Sequence, residues 1–125
     1  APVVFVDGVA DVFGGNENDR GDVKRFVNAL VGLIPPETGA LVLIHHVNKP
    51  AAGTGTSEGY SGSTGWHNSV RARWYLYPET EASDEGVERT GRLLLELQKS
   101  NLGRADQTMT FRWDESAHLF VGELA

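Results

Sequence analysis

Asp7 closes the apolar run Val3-Val4-Phe5-Val6, and the pair His45-His46 closes a second run over residues 40–44. A carboxylate at the C-terminal end of a buried strand faces the crevice where open α/β sheets bind ligands, and its oxygens suit a hard cation such as Mg²⁺. A turn or helix-cap hydrogen bond is the plain alternative for the same aspartate. Asp11, four residues on, fits a secondary polar contact or simply the surface. Of the two histidines, one can point into the crevice and the other toward packing or a neighbouring backbone. A neutral imidazole there can donate one hydrogen bond to a phosphate oxygen, which would let it distinguish a triphosphate from a diphosphate. Both rings can equally be satisfied polar groups at a strand end. Zinc fits less well, because the chain has no cysteine and His67 and His118 lie in separate segments without ligand spacing.

The cationic candidates come later in the chain. Arg71 and Arg73 are one residue apart, so on a strand they share a face and present two guanidinium forks in one direction. Trp74 and Tyr75 then fall on opposite faces, with Trp74 expected in the core. Surface ion pairs with the many carboxylates are the competing role for both arginines and for Lys99. Ser63 and Thr64 invite a nucleophile reading, but Ser61-Gly62-Ser63-Thr64-Gly65 misses the G-x-S-x-G elbow by one residue. Their hydroxyls are better suited to capping a short turn near Trp66.

These residues need elements to hold them. Residues 3–7 read as a strand, followed by a polar, glycine-bearing stretch over 14–21. Val23, Phe26, Val27, Leu30, Val31 and Ile34 recur at spacings of three and four, which predicts one helical face, capped by Asp19 or Asp22 and ended by Pro35-Pro36. Residues 40–44 form a short continuous apolar run with branched side chains, a second buried strand. Strand, helix, strand implies a βαβ unit with parallel strands. Residues 48–65 are rich in glycine, serine, threonine and alanine, and a loop of that length is usually functional or disordered. A helical turn over 66–70, strands over 72–77 and 92–97, an acidic turn region over 80–88 and a hairpin of 108–113 with 118–121 complete the chain. The expected fold is α/β, a mostly parallel sheet with an antiparallel C-terminal hairpin.

Seventeen acidic side chains against eleven basic ones give a formal charge of −6, so bulk electrostatics do not point to nucleic acid and any such contact has to be local. No run approaches 18 apolar residues, and the first residues lack the charged start and apolar middle of a signal peptide. With no cysteine, this favours a soluble, cytoplasmic protein without a membrane partner.

Taken in order, Val3-Val4-Phe5-Val6-Asp7, Gly14-Gly15-Asn16-Glu17-Asn18-Asp19, Ile44-His45-His46-Val47-Asn48-Lys49, Ser61-Gly62-Ser63-Thr64-Gly65-Trp66 and Lys99-Ser100-Asn101-Leu102-Gly103 form a pattern. The pattern resembles the RecA-like core of hexameric replicative helicases and related plasmid- and phage-encoded ATPases, particularly the RepA replication-protein group. On this resemblance Asp7 is the Walker B carboxylate that holds Mg²⁺ through water. His46 is the γ-phosphate sensor, with His45 the less favoured choice. Residues 48–65 are the mobile loop, in which Lys49 and Tyr60 meet single-stranded DNA through phosphate and base stacking. Lys99, with Arg71 or Arg73, reaches the ATP of a neighbouring subunit in a homo-oligomeric ring. Asn101 stands where the family carries its arginine finger, although Arg104 is close by.

The resemblance thus implies residues 1–125 as the C-terminal portion of a RecA-like P-loop NTPase domain, using ATP and Mg²⁺ as part of an ATP-dependent helicase or DNA-dependent ATPase in replication. No G-x-x-x-x-G-K-[ST] occurs in these residues, so the chain alone is expected to be inactive and to bind ATP poorly. A recombination ATPase of the same fold is one alternative. A degenerate structural or oligomerisation module, keeping the sheet but with no use for Asp7, His46 and Lys99, is the other.

Overall fold

The computed structural model describes residues 2–46 and 65–123, which fall into two compact units, one carried mainly by the N-terminal part of the chain and one by residues beyond 70. In the first unit, β1 (Val3–Asp7), α1 (Val9–Val12), α2 (Arg20–Val31), β2 (Ala40–Ile44) and α3 (Gly65–Ser69) follow in order. β1 and β2 pair in parallel, with Val3 opposite Ala40 and Asp7 opposite Ile44. The expected βαβ unit is therefore present, and the alternation along both strands sorts their side chains. Val6 and Leu43 pack against a core of Val9, Val23, Val27 and Trp66, while Val3, Phe5, Val42 and Ile44 stay substantially exposed on the opposite face.

Helix α2 starts where its cap is strongest. The Asp19 carboxylate accepts from the backbone N–H of Gly21 at 2.8 Å and of Asp22 at 3.2 Å, satisfying donors that have no partner within the helix. Asp22 has another function: its carboxylate accepts from the Asn16 backbone N–H at 3.2 Å and pairs with Arg25. It thereby ties the 14–18 loop to the first turn of the helix. The helix ends at Val31, with Gly32 as its C-cap, before the prolines that were expected to stop it. Leu33 and Ile34 continue in tighter three-residue turns, which leaves Leu33 80% exposed.

The second unit is an antiparallel meander, β3 (Ala72–Ser83), β4 (Gly86–Ser100), β5 (Thr108–Asp114) and β6 (Leu119–Gly122), hydrogen-bonded in that order. This corrects the expected mostly parallel sheet of a RecA-like fold: among the described residues, four of the six strands lie in this antiparallel sheet and only β1 and β2 are parallel. The reason is connection length. A parallel return needs a crossover of a dozen or more residues, whereas only Asp84 and Glu85 separate β3 from β4. The acidic segment over 80–88, expected as a turn region, is mostly strand, with Thr80 paired to Arg89 and Ser83 to Gly86. Gly86, at φ 126°, takes a backbone conformation that other residues rarely adopt.

Register irregularities at Arg73/Trp74 and Pro78/Thr80 bend this hairpin. One face of the meander collects Trp74, Leu76, Leu93, Leu95, Met109, Phe111, Trp113 and Phe120, and Trp113 meets Phe120 edge-on at 5.3 Å. Trp74 was expected in the core and Tyr75 opposite it. The burial is the reverse, with Tyr75 4% exposed and Trp74 43%. Tyr75 stacks on Tyr77, whose hydroxyl donates to Glu96 at 3.2 Å. Burial, then the Glu96 charge, raises the Tyr77 phenol above its ordinary range.

Candidate functional site

The C-terminal edge of the parallel pair carries the first group of candidate residues. Asp7 is the last residue of β1 and is exposed, opposite Ile44 in the ladder. His45 and His46 follow Ile44 directly, so aspartate and histidines leave adjacent strands at the same edge. What turns the chain sharply after Asp7 is Gly8, at φ 71° and ψ 55°, in the left-handed region, where it serves as N-cap of α1. A β-carbon at Gly8 would lie 2.8 Å from an Asp11 carboxylate oxygen, so Asp11 packs over this turn.

The histidines differ in their surroundings. His46 is exposed. His45 is held from three directions: its Nδ1 lies 2.9 Å from the His46 carbonyl oxygen, its Nε2 lies 3.4 Å from Glu17 Oε1, and its ring sits 5.3 Å from that of Trp66. Trp66 is itself packed edge-on against Phe13 and Phe26 at 5.3 and 6.1 Å. Glu17 lies within the Gly14-Gly15-Asn16-Glu17-Asn18-Asp19 segment, where its residue type alone assigns it no role. The signal that could have singled it out is weak, an acidic side chain in the loop after one strand and a histidine just after the next.

The second unit carries the cationic group. Arg73 in β3 stands directly opposite Lys99 in β4. Arg71 lies just before β3, not within it, and its carbonyl accepts the Asn101 backbone N–H at 2.9 Å. Arg71, Arg73, Lys99 and Asn101 are thus gathered at one end of the β3–β4 ladder. Lys49 and Tyr60, with all of the loop 48–65 except Gly65, lie outside the described residues.

Among the described residues no three histidine or acidic side chains gather as a metal cage. One exposed strand-end carboxylate still fits Mg²⁺, which keeps several waters and is commonly held by one or two carboxylates together with substrate phosphates. It does not fit a closed structural metal site.

Residues 1–52 match a family described as AAA domain, a similarity to the ATP-binding P-loop NTPases at large that spans β1, α1, α2 and β2. No curated protein matches the chain.

Proposed function

We propose that the β1–β2 edge supplies the Mg²⁺ and γ-phosphate side of an ATP site in a P-loop NTPase, and that the protein works as a DNA-dependent ATPase in a replicative ring. The observation that carries this reading is the in-register parallel pairing that delivers Asp7 and the histidines to one edge. The AAA-domain similarity supports it, because it covers the residues that form this edge.

In this reading Asp7 would hold Mg²⁺ through water, and the ion would supply positive charge to offset that of the phosphate oxygens. The left-handed turn at Gly8 redirects the chain into α1 immediately after this carboxylate. His46 donates a hydrogen bond to the terminal phosphate and loses that partner once the phosphate leaves. Arg71, Arg73 and Lys99 act on the nucleotide of a neighbouring subunit, where their positive charge offsets the negative charge of the transferring phosphoryl group. Lys49 and Tyr60 meet single-stranded DNA.

The test is ATP turnover by the protein as its gene encodes it, measured with and without single-stranded DNA. Asp7→Asn is expected to lower magnesium-dependent turnover by roughly a hundredfold, the scale of losing one preorganised electrostatic contact. Turnover indifferent to Asp7→Asn overturns the site. Turnover indifferent to DNA overturns the motor.

A further inference from the structure

Glu17 lies in the connection between α1 and α2 and His45 just after β2, so the whole of α2 separates them along the chain, yet they meet in space. Their contact is not isolated. Asp22 ties the loop of Glu17 to α2 through the Asn16 N–H, and Trp66 backs the His45 ring. The other ring nitrogen faces the carbonyl of His46. A chain of contacts therefore runs from the Glu17 carboxylate through the His45 imidazole to the His46 carbonyl. Both partners of the ring are hydrogen-bond acceptors, so an imidazolium donates to both, whereas a neutral ring donates to one of them at a time while the ring plane stays aimed at the two.

We infer that Glu17 is a positioning residue for His46, acting through His45. The inference rests on the proposed place of His46 at the γ-phosphate and adds to it the group that fixes the backbone from which the His46 ring projects. Histidines that bind a ligand are commonly oriented by a partner on the far side, and removal of such a partner costs function without removing the ligand contact itself. Here the arrangement is one step longer. His45 is not the ligand contact. It is the strut, and Glu17 is its anchor. Because the 14–18 loop follows directly from β1 and α1, movement at the Asp7 end of the site would reach His46 by this route.

Three variants test it: Glu17→Ala, Glu17→Gln, and His45→Phe, which keeps a ring against Trp66 but removes both hydrogen bonds. In the full chain labelled with ¹³C and ¹⁵N, Glu17→Ala is expected to shift the His46 carbonyl carbon signal and broaden the His45 Nδ1–H signal. Glu17→Gln, whose amide can still meet Nε2, should keep both near their original positions. An unchanged His46 carbonyl in Glu17→Ala overturns the inference, whether or not the protein hydrolyses ATP.

In the protein as its gene encodes it, Glu17→Ala should lower kcat about tenfold with little change in the KM for ATP. Glu17→Gln should restore most of that loss. The Glu17→Ala, His45→Phe double variant should be no worse than either single one, since both remove the same strut. Additive losses overturn the inference. Absence of turnover in the unsubstituted protein defeats the proposed function alone, and the carbonyl signal then decides the strut by itself.

Discussion

Arg92 and Arg112 stand directly opposite each other across β4 and β5, and the Glu123 carboxylate lies against both, 3.3 Å from Arg92 Nε and 3.9 Å from Arg112 Nε. Like charges in this position repel. Glu79, 3.8 Å from Arg92, adds a second counter-charge, and the Glu123 backbone is pinned by its N–H to the Thr110 carbonyl at 2.8 Å.

Glu123→Gln is therefore expected to destabilise the meander by about 0.5–1 kcal/mol, the scale of a partly exposed ion pair, and the loss should shrink in concentrated salt. Arg112→Thr should stabilise the Glu123→Gln protein while weakening or leaving unchanged the original one. Urea midpoints of the four proteins give the sign of that coupling, and equal effects in both backgrounds would refute the account.

Gly8→Ala should cost about 1–2 kcal/mol, because the left-handed backbone after Asp7 is unfavourable for a residue with a β-carbon. The 2.8 Å approach to Asp11 is to the far end of a flexible side chain. Combining Gly8→Ala with Asp11→Ala should recover only a minor part of the loss in a denaturation series. Full recovery would mean that the contact, and not the backbone, requires glycine.

Asp114 makes the β5–β6 turn sensitive to acid. The Ser116 hydroxyl donates to its carboxylate at 2.7 Å, and the Ala117 and Ser116 backbone N–H groups at 2.9 Å each. The Ser116 side-chain bond first, and then these backbone bonds, hold the carboxyl below the ordinary aspartate range. A carboxyl lowered by folding contributes its stability in full above the unfolded value, about 3.9, and loses it as pH falls through the folded value. Amide signals of residues 114–118 should therefore hold steady down to that region and move only below it. Ser116→Ala should bring the transition to higher pH.

Much of the first unit was legible in the sequence. Val23 and Val27 lie four apart on the face that the helical period predicted, and Asp19 is the cap its residue type suggested. The runs ending at Asp7 and Ile44 are strands because short, branched, apolar stretches between breakers have few other uses. Less of the second unit was legible. Period-two alternation put Trp74 and Tyr75 on opposite faces but could not say which face is covered, since burial depends on what packs there. The strand character of the acidic segment over 80–88 comes from pairing across the hairpin and not from its own composition. The two-residue Asp84-Glu85 connection was the local clue to an antiparallel return. At the candidate site, Asp7 and His46 stood out by residue type and position. The Glu17–His45 contact did not, because its partners are 28 residues apart and meet only through the packing of α2.

The two ways in which this chain pairs its strands also set the order in which it can fold. β3 and β4 close outward from a two-residue turn, each new pair being next to one already made, and such hairpins form within about 1–10 μs. β1 and β2 have no such start: Val3 and Ala40 must be brought together across α2 and its connections before the first ladder bond forms, so the closure entropy precedes any gain. The meander is accordingly the part that organises early, and the edge bearing Asp7 and His46 takes shape only when the long-range pairing is complete.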